Sequence, residues 1–359
     1  MLKFCGMGSN VRWALVLIAV IALAGIGIFF MRTGAAPVSS TGSTSSVTVK
    51  WLIAHQPASV FARAATVFAD ELSKASDGRM KLEVMTPQDV GVAVGDIPNA
   101  KVLELLDSGD VQLATTYTVA LGYQDAQLGA LNLPFAFDRY DQLPGFLDGA
   151  LGSRLLDGIG ATISARGIAF TMSGGFRIIA AKDKDVRTPA DMKGLRIATS
   201  GGPVAEATLK ALGATSVPLN LESGTASVDP KTIDGVETAY SRLSGVLGKN
   251  SAYTKHINET YHSVFLTVIL AGNAFYDSLS PQDQAALKKA ALAAAEVERQ
   301  DSIALGEQVK AQLQTEGSVV TTLSPESRSA FRAATRSVYD QFAPVLDADI
   351  VQAIIAARE

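Results

Sequence analysis

The chain has 359 residues, of which 48% are hydrophobic and 18% are charged, so it is long enough for two globular lobes and too apolar to be largely disordered. Its formal net charge of −4 argues against a nucleic-acid partner, which requires a basic surface. The single cysteine, Cys5, excludes an internal disulfide and a cysteine-built zinc site, and three histidines leave little scope for histidine-rich metal chemistry.

The N-terminal segment has the composition of a membrane anchor. Residues 13–31 (WALVLIAVIALAGIGIFFM) carry no charge, and as a helix they nearly cross a hydrocarbon core of about 30 Å. Lys3 and Arg12 precede this run and Arg32 follows it, which predicts residues 1–12 in the cytoplasm and everything after the run outside. The run is longer than a signal-peptide core of about 7–15 residues, which favours a retained anchor.

A linker rich in serine and threonine follows the apolar run. Residues 34–36 (GAA) offer a small-residue cleavage site, so removal of the preceding segment is the alternative to a retained anchor. The composition of residues 32–47 predicts a flexible tether. We therefore expect the globular part to act at or beyond the outer surface of the membrane.

The globular part begins with alternating strands and helices. Residues 47–53 (VTVKWLI) are β-branched and predict a first strand, and apolar residues at helical spacing over 61–72 predict a helix. Residues 80–85 (MKLEVM) and 111–115 (VQLAT) predict the next two strands. This alternation favours a mainly parallel sheet with helices on both faces, in which ligands bind beyond the carboxyl ends of the strands.

A second block of the same kind follows. Residues 168–172 and 176–181 are strand-like, and the order Thr, Pro, Ala, Asp over 188–191 is typical of a helix start. The loop at 200–203 (SGGP) lies between a predicted strand and a predicted helix. It is either a simple turn or an anion site built from backbone amides.

The last third of the chain is helical in pattern. The sequence Ser-Pro-Gln-Asp at 280–283 opens a helix rich in alanine, leucine and glutamate that extends to about residue 314. Its length of about 50 Å exceeds the width of one lobe, so we predict that it braces two lobes. A further helix is predicted from residue 324 to about residue 342.

Catalytic and cofactor motifs are weak in this sequence. There is no G-x-S-x-G pentapeptide, and Gly158-Ile159-Gly160 lacks the third glycine of a dinucleotide fingerprint. His256 and His262 are six residues apart and do not share a helix face, so they do not predict a zinc pair. We therefore predict a binding protein without a cofactor rather than an enzyme.

Five segments, in order along the chain, resemble the periplasmic solute-binding proteins of TRAP transporters, the DctP-like family. They are 133–137 (LPFAF), 175–177 with 189–197 (GFR and PADMKGLRI), 211–218 (ALGATSVP), 233–237 (IDGVE) and 273–279 (NAFYDSL). The match covers about residues 48–343.

The resemblance implies a periplasmic-binding-protein-like α/β fold of two lobes, with strands crossing between them and a long helix spanning both. On this basis residues 48–173 form the first lobe and residues 174–263 the second, while residues 264–359 supply a crossing strand, the bracing helix and the C-terminal helices. A small organic solute, usually a carboxylate, is expected in the cleft between the lobes. Cleft closure would then deliver it to the membrane permease subunits.

The sequence departs from the family at the position of the main carboxylate-binding arginine, which is Ala198 here. An arginine holds a carboxylate with two parallel hydrogen bonds that alanine cannot supply. Arg196 shares a strand face with Ala198 and is a candidate replacement. Arg177 matches a second family arginine near the solute, with a structural ion pair as the alternative. Residues 221–231 also depart from the family pattern, which suggests a reshaped pocket.

Arg177 is the predicted anion contact, and other residues are expected to line the cleft from their positions alone. The full set of predicted ligand-binding residues is Arg177, Glu237, Tyr117, His55, Asp234 and Tyr240. A capping role is the alternative for Asp234, and simple packing is the alternative for Tyr240.

These observations together predict an extracytoplasmic solute-binding protein of the TRAP type that binds a small, anionic organic molecule. Its partners would be permease subunits and the inner membrane, reached through residues 13–31. Two alternatives stay open: a membrane-anchored ligand sensor or partner-binding relative with an altered pocket and no transport role, and an extracytoplasmic enzyme that uses the cleft.

Overall fold

The computed structural model describes residues 46–54, 58–92, 97–219, 228–245 and 251–356, which form two β-sheets and their flanking helices. The strands are β1 Val47–Ile53, β2 Met80–Met85, β3 Leu113–Tyr117, β4 Ala165–Phe176, β5 Ile178–Ala181, β6 Arg196–Thr199, β7 Thr215–Pro218, β8 Gly235–Thr238, β9 His256–Glu259, β10 Val264–Gly272 and β11 Val319–Thr322.

The α-helices in the same residues range from single turns to one long helix. They are α1 Ala62–Ala75, α2 Asn99–Ser108, α3 Thr118–Leu121, α4 Leu143–Leu147, α5 Ala150–Thr162, α6 Pro189–Met192, α7 Pro203–Ala211, α8 Tyr240–Gly245, α9 Asn273–Ser278, α10 Pro281–Thr315, α11 Pro325–Ala334, α12 Arg336–Phe342 and α13 Ala348–Ala356.

The first lobe is built on a five-stranded sheet with the order β2-β1-β3-β10-β4. Its core forms around Trp51 of β1, whose ring packs edge-on against Phe61 and Phe68. The indole nitrogen of Trp51 donates to Thr115 Oγ1 at 2.8 Å, so the one polar atom of this buried side chain is satisfied. The apolar spacing that predicts α1 is the spacing of its buried face.

The second lobe is built on a six-stranded sheet with the order β11-β9-β5-β8-β6-β7. Both sheets are mixed, which corrects the prediction of mainly parallel sheets. In the first sheet β10 is antiparallel to β3 and β4, and in the second β5 is antiparallel to β8 and β9. The antiparallel strands are the two that follow directly on a strand of the other sheet: β5 enters the second sheet after β4, and β10 enters the first sheet after β9.

The crossing from β4 to β5 contains two glycines that a side chain would disrupt. Gly174 and Gly175 have φ values of 102° and 84°, in the left-handed region that favours glycine. A Cβ atom on Gly174 would lie 2.0 Å from Ser241 Oγ. The crossing therefore lets the two lobes approach each other closely at this point.

Helix α10 extends along both lobes, as the sequence predicts. Its start is fixed by Ser280, whose hydroxyl accepts a hydrogen bond from the Asp283 amide at 3.1 Å. The first half packs on α1 and β4 of the first lobe through a row of buried alanines, and the second half packs on α8 of the second lobe. Val309 and Leu313 there join the core of the second lobe.

The predicted membrane anchor, residues 13–31, and most of the predicted linker lie outside the described residues. Among the residues that are described, no helix combines the length and the apolar character needed to cross a bilayer.

Candidate functional site

A buried polar cluster lies where the two lobes meet, at the carboxyl ends of β6 and β8 and directly after β4. At its centre Arg177 Nη1 donates to Glu237 Oε2 at 3.0 Å, and each side chain is 1% exposed. Arg177 lies between β4 and β5, and its backbone amide donates to the Ser263 carbonyl at 2.8 Å. Backbone pairing on both sides therefore fixes the direction of the Arg177 side chain.

The Glu237 carboxylate is held from three sides. Besides Arg177, it accepts a hydrogen bond from Thr199 Oγ1, and its Oε1 lies 2.8 Å from His262 Nε2. Burial alone would raise the pKa of this carboxyl, but the charge of Arg177 and the hydrogen bonds from His262 and Thr199 outweigh it and lower the pKa to about 2. Glu237 is consequently ionised and held rigidly beside Arg177.

One edge of the Arg177 guanidinium meets no acceptor in the part of the chain that the structure describes. Its Nε and Nη2 are buried and have no hydrogen-bond partner among the described residues. The guanidinium carbon lies 3.9 Å from the centroid of the Phe265 ring, so one flat face of the group stacks on an aromatic surface. The Nε–H and Nη2–H bonds of an arginine point to the same side and match the two oxygens of a carboxylate.

A second buried arginine, not predicted from the sequence, lies beside the first. Arg242 of α8 is 1% exposed, and its Nη1 donates to the Tyr117 hydroxyl at 2.6 Å. Its guanidinium carbon lies 5.0 Å from the same Phe265 ring. Burial lowers the pKa of both arginines, and the nearby charge of Arg242 lowers the pKa of Arg177 further. A guanidinium stays protonated despite such a shift.

The signal for Arg242 was present in the sequence. It comes four residues after β8 ends, at the sheet edge where ligands of α/β proteins bind. Tyr240, two residues earlier, is among the predicted ligand-binding residues, and Arg242 is not.

The structure brings three of the six predicted residues together, and it places Asp234 and Tyr240 in other networks. Arg177, Glu237 and Tyr117 belong to the cluster between the lobes. Asp234 lies at the opposite end of β8, where Arg196 donates to it through Nε at 2.9 Å and through Nη2 at 2.8 Å. This pairing lowers the pKa of Asp234. His55 lies outside the described residues.

Tyr240 is engaged in a different network. Its hydroxyl donates to Glu259 Oε1 at 2.9 Å, and its buried ring packs in the core of the second lobe. Burial beside Glu259 raises the pKa of the Tyr240 hydroxyl far above its ordinary value. These contacts are those of a packing residue, and a role in solute binding stays a prediction.

Position 198 belongs to the core of the second lobe. Ala198 is fully buried and packs there with Ile178 and Val236. Arg196, the candidate replacement for the missing arginine, has its guanidinium occupied by Asp234. The structure therefore favours Arg177 over Arg196 as the arginine that is available to a solute.

Backbone amides of the turn at 200–203 donate hydrogen bonds to side chains of the protein. Gly201 donates to Thr199 Oγ1 at 3.3 Å, and Gly202 donates to the Tyr123 hydroxyl at 2.9 Å. These bonds favour the simple turn over an anion site.

Comparison with known proteins identifies the family. Residues 53–344 match the family model described as "Bacterial extracellular solute-binding protein, family 7", DctP. The chain belongs to this family. It is therefore a solute-binding protein of the TRAP type, as the five sequence segments predict.

Sequence and structural relatives align with most of the chain. The C4-dicarboxylate-binding periplasmic protein DctP of Vibrio cholerae is 28% identical over 72% of this chain and 76% of its own length. The C4-dicarboxylate-binding protein DctB of Bacillus subtilis is 24% identical over 82% of each chain. A solved TRAP periplasmic solute-binding protein from Bordetella bronchispeptica, with density assigned to pantoate, is 26% identical with a TM-score of 0.74, covering 86% of this chain and 98% of that one. The fold is thus that of two-lobed TRAP solute-binding proteins.

Proposed function

We propose that this protein captures a small organic carboxylate between its two lobes and delivers it to the permease of a TRAP transporter. The observation that carries the proposal is the Nε and Nη2 edge of Arg177, which is buried at the lobe junction without a protein acceptor among the described residues. Burying two charged donors without acceptors is unfavourable in free energy by more than one hydrogen bond contributes. We therefore expect an anionic acceptor there in the bound state.

Glu237 positions Arg177 rather than touching the solute. Its two oxygens are already used by Arg177, Thr199 and His262, and a carboxylate beside an anionic solute would repel it. Tyr117 is proposed to line the cleft, since it lies at the end of β3 against the Phe265 ring. His55 is also proposed as a cleft residue, and the only support for it is its position in the sequence after β1.

The solutes of the relatives support an organic acid. The relatives from Vibrio cholerae and Bacillus subtilis are named for C4-dicarboxylates, and the Escherichia coli relative YiaO is named for 2,3-diketo-L-gulonate. The Bordetella structure has density assigned to pantoate. These compounds differ in size and hydroxylation and share a carboxylate, which is the group that the free edge of Arg177 would recognise.

The test is a thermal-shift screen of the purified full-length chain against succinate, pantoate, sugar acids, amino acids and neutral polyols, in the wild type and in Arg177→Lys. Lysine keeps a positive charge opposite Glu237 but removes the Nε and Nη2 edge. A carboxylate at about 100 times its Kd should stabilise the wild type by about 2.7 kcal/mol, and Arg177→Lys should lose most of that shift.

Arg196→Gln is the matched control, because it removes a second-lobe arginine that pairs with Asp234 away from the junction. Its carboxylate shift should equal that of the wild type. Stabilisation by neutral solutes only, or an unchanged carboxylate shift in Arg177→Lys, would contradict the proposal.

A further inference from the structure

The two lobes also touch at the protein surface, through a contact that is separate from the buried arginines. Tyr123 follows α3 in the first lobe and is 58% exposed. Its hydroxyl donates to Glu206 of α7 and accepts a hydrogen bond from the Gly202 amide at 2.9 Å, both in the second lobe. One side chain thus bridges the two lobes with two hydrogen bonds, one to a glutamate side chain and one from a backbone amide.

The backbone of the second lobe fits the first lobe only because it lacks a side chain here. Gly202 has a φ of 106°, and a Cβ on it would lie 2.5 Å from Val119 Cγ2 and 2.8 Å from the Val119 carbonyl oxygen. Val119 belongs to α3 of the first lobe. The Gly202 turn therefore marks a place where the lobes come into close contact.

An apolar cluster from both lobes lies beneath this contact. Tyr117, Val119 and Phe265 of the first lobe pack with Ala205 and Ala239 of the second. Opening the cleft would expose these side chains to water, so closure gains apolar burial in addition to the hydrogen bonds of Tyr123. The same cluster contains the Phe265 ring on which Arg177 stacks.

We infer that Tyr123, Glu206 and the glycine turn at Gly202 form a latch that holds the cleft closed over the solute and sets how slowly the solute leaves. The inference rests on the proposed function, since it assumes that the solute is enclosed by lobe closure. Tyr123 is a positioning residue, because it acts on the lobe arrangement and not on the Arg177 site.

The latch forms only when the lobes are together, so its loss should appear in dissociation more than in association. Tyr123→Phe keeps the ring and removes both hydrogen bonds of the hydroxyl. We expect it to weaken succinate or pantoate binding about ten-fold, with most of the change in the dissociation rate. Tyr276→Phe is the matched control, because Tyr276 lies on α9 and packs in the first-lobe core. It should leave binding and release unchanged.

The lobe arrangement can be measured without relying on affinity. Dyes on cysteines placed at the exposed positions Lys81 and Lys255, in a full-length Cys5→Ser chain in detergent, report the distance between the lobes by single-molecule energy transfer. Tyr123→Phe should reduce the closed fraction, both free and with solute. Gly202→Ala should suppress closure further, even at saturating solute, because its Cβ meets Val119.

The outcomes separate the latch from the proposed function. If no carboxylate binds the wild type, the proposed function fails, and the latch is still decided by the closed fraction of the free protein. An equal closed fraction and equal release rate in Tyr123→Phe and wild type would overturn the latch. A slower approach to binding with unchanged release would also overturn it.

Discussion

Arg177 and Glu237 form a buried ion pair at the lobe junction. Removing one partner of such a pair costs about 3–5 kcal/mol, because the other charge is left buried without compensation. The pair therefore holds Arg177 in one orientation, with one edge committed to Glu237 and the other facing the lobe junction. A rigid guanidinium loses little side-chain entropy when a carboxylate binds it.

We expect Glu237→Gln to destabilise the protein at pH 7, and the effect to shrink as the pH falls. The carboxyl pKa is lowered from 4.5 to about 2 in the folded state, so its contribution is present above about pH 4.5 and is lost as the pH falls towards 2. A pKa difference of about 2.5 corresponds to about 3 kcal/mol. Denaturant unfolding of both proteins at pH 7, 5 and 3 measures this.

The informative quantity is the difference in unfolding free energy between wild type and variant. A difference that stays constant from pH 7 to pH 3 would show that Glu237 does not titrate as an ion-paired carboxyl.

At the residue scale, the sequence predicts only part of the buried cluster at the lobe junction. Arg177 and Glu237 are found through the family segments that contain them. Thr199 and His262, which complete the Glu237 site, could not be connected to it, because they come from a separate strand and a separate loop. Hydrogen bonds between residues 25 to 60 positions apart leave no periodic pattern in a sequence.

At the scale of elements, α10 contains a buried acid where it crosses the strand that leaves the first lobe. Glu298 is fully buried. It accepts one hydrogen bond from the Met172 amide at 2.6 Å and another from Ser302 Oγ at 2.6 Å. Burial raises its pKa to about 8 against the opposing effects of these hydrogen bonds and of Arg299. The acid therefore ties the middle of the bracing helix to β4, close to the crossing glycines.

Glu298→Gln should be more stable than the wild type at alkaline pH. In the unfolded chain the acid ionises above its ordinary value of 4.5, whereas the native acid keeps its proton until about pH 8. The native state binds more protons in this window, so wild-type stability falls as the pH rises through it, by at most about 5 kcal/mol. Glutamine avoids that loss. Thermal melts from pH 5 to 9 should show the two proteins diverging.

Glu296→Gln, an exposed position on the same helix, is the control and should follow the wild type across this range. Parallel curves for Glu298→Gln and wild type would mean that the native acid ionises normally.

The elements themselves were largely predictable, because each has a local cause. The Thr-Pro-Ala-Asp start of α6 is observed, with the Thr188 amide donating to Asp191 Oδ2 at 2.8 Å. The end of α10 at Thr315 lies next to the predicted position, residue 314. Strand direction was not predictable, since it depends on which sheet each strand joins and no local pattern encodes that.

At the scale of the whole molecule, the protein combines a two-lobed solute-binding fold with an apolar N-terminal segment. Residues 13–31 lie outside the described residues, and their role as an inner-membrane anchor is a proposal from the sequence. An anchored binding protein would keep its solute close to the permease, because a short flexible tether raises the effective concentration.

The anchor proposal predicts that the full-length chain sediments with inner membranes after cell fractionation and resists extraction by salt or alkaline carbonate. Replacing Ile18 and Ile21 by arginine should abolish this association, because each charge in the middle of a bilayer costs about 2.5–3.5 kcal/mol. Recovery of a periplasmic form that begins after residues 34–36 would instead show that the segment is a cleaved signal.

The sequence by itself determined the family, the run of elements and the bracing helix, and it predicted Arg177 as the anion contact, since these follow from local patterns and ordered motifs. Only the tertiary structure decided that Arg242 lies beside Arg177, that Asp234 pairs with Arg196, and that Tyr123 reaches across the cleft to Glu206. The physical reason is the distance along the chain over which each effect acts. Propensity and capping act over a few residues, whereas a binding site is assembled from side chains that only the packing of two sheets brings together.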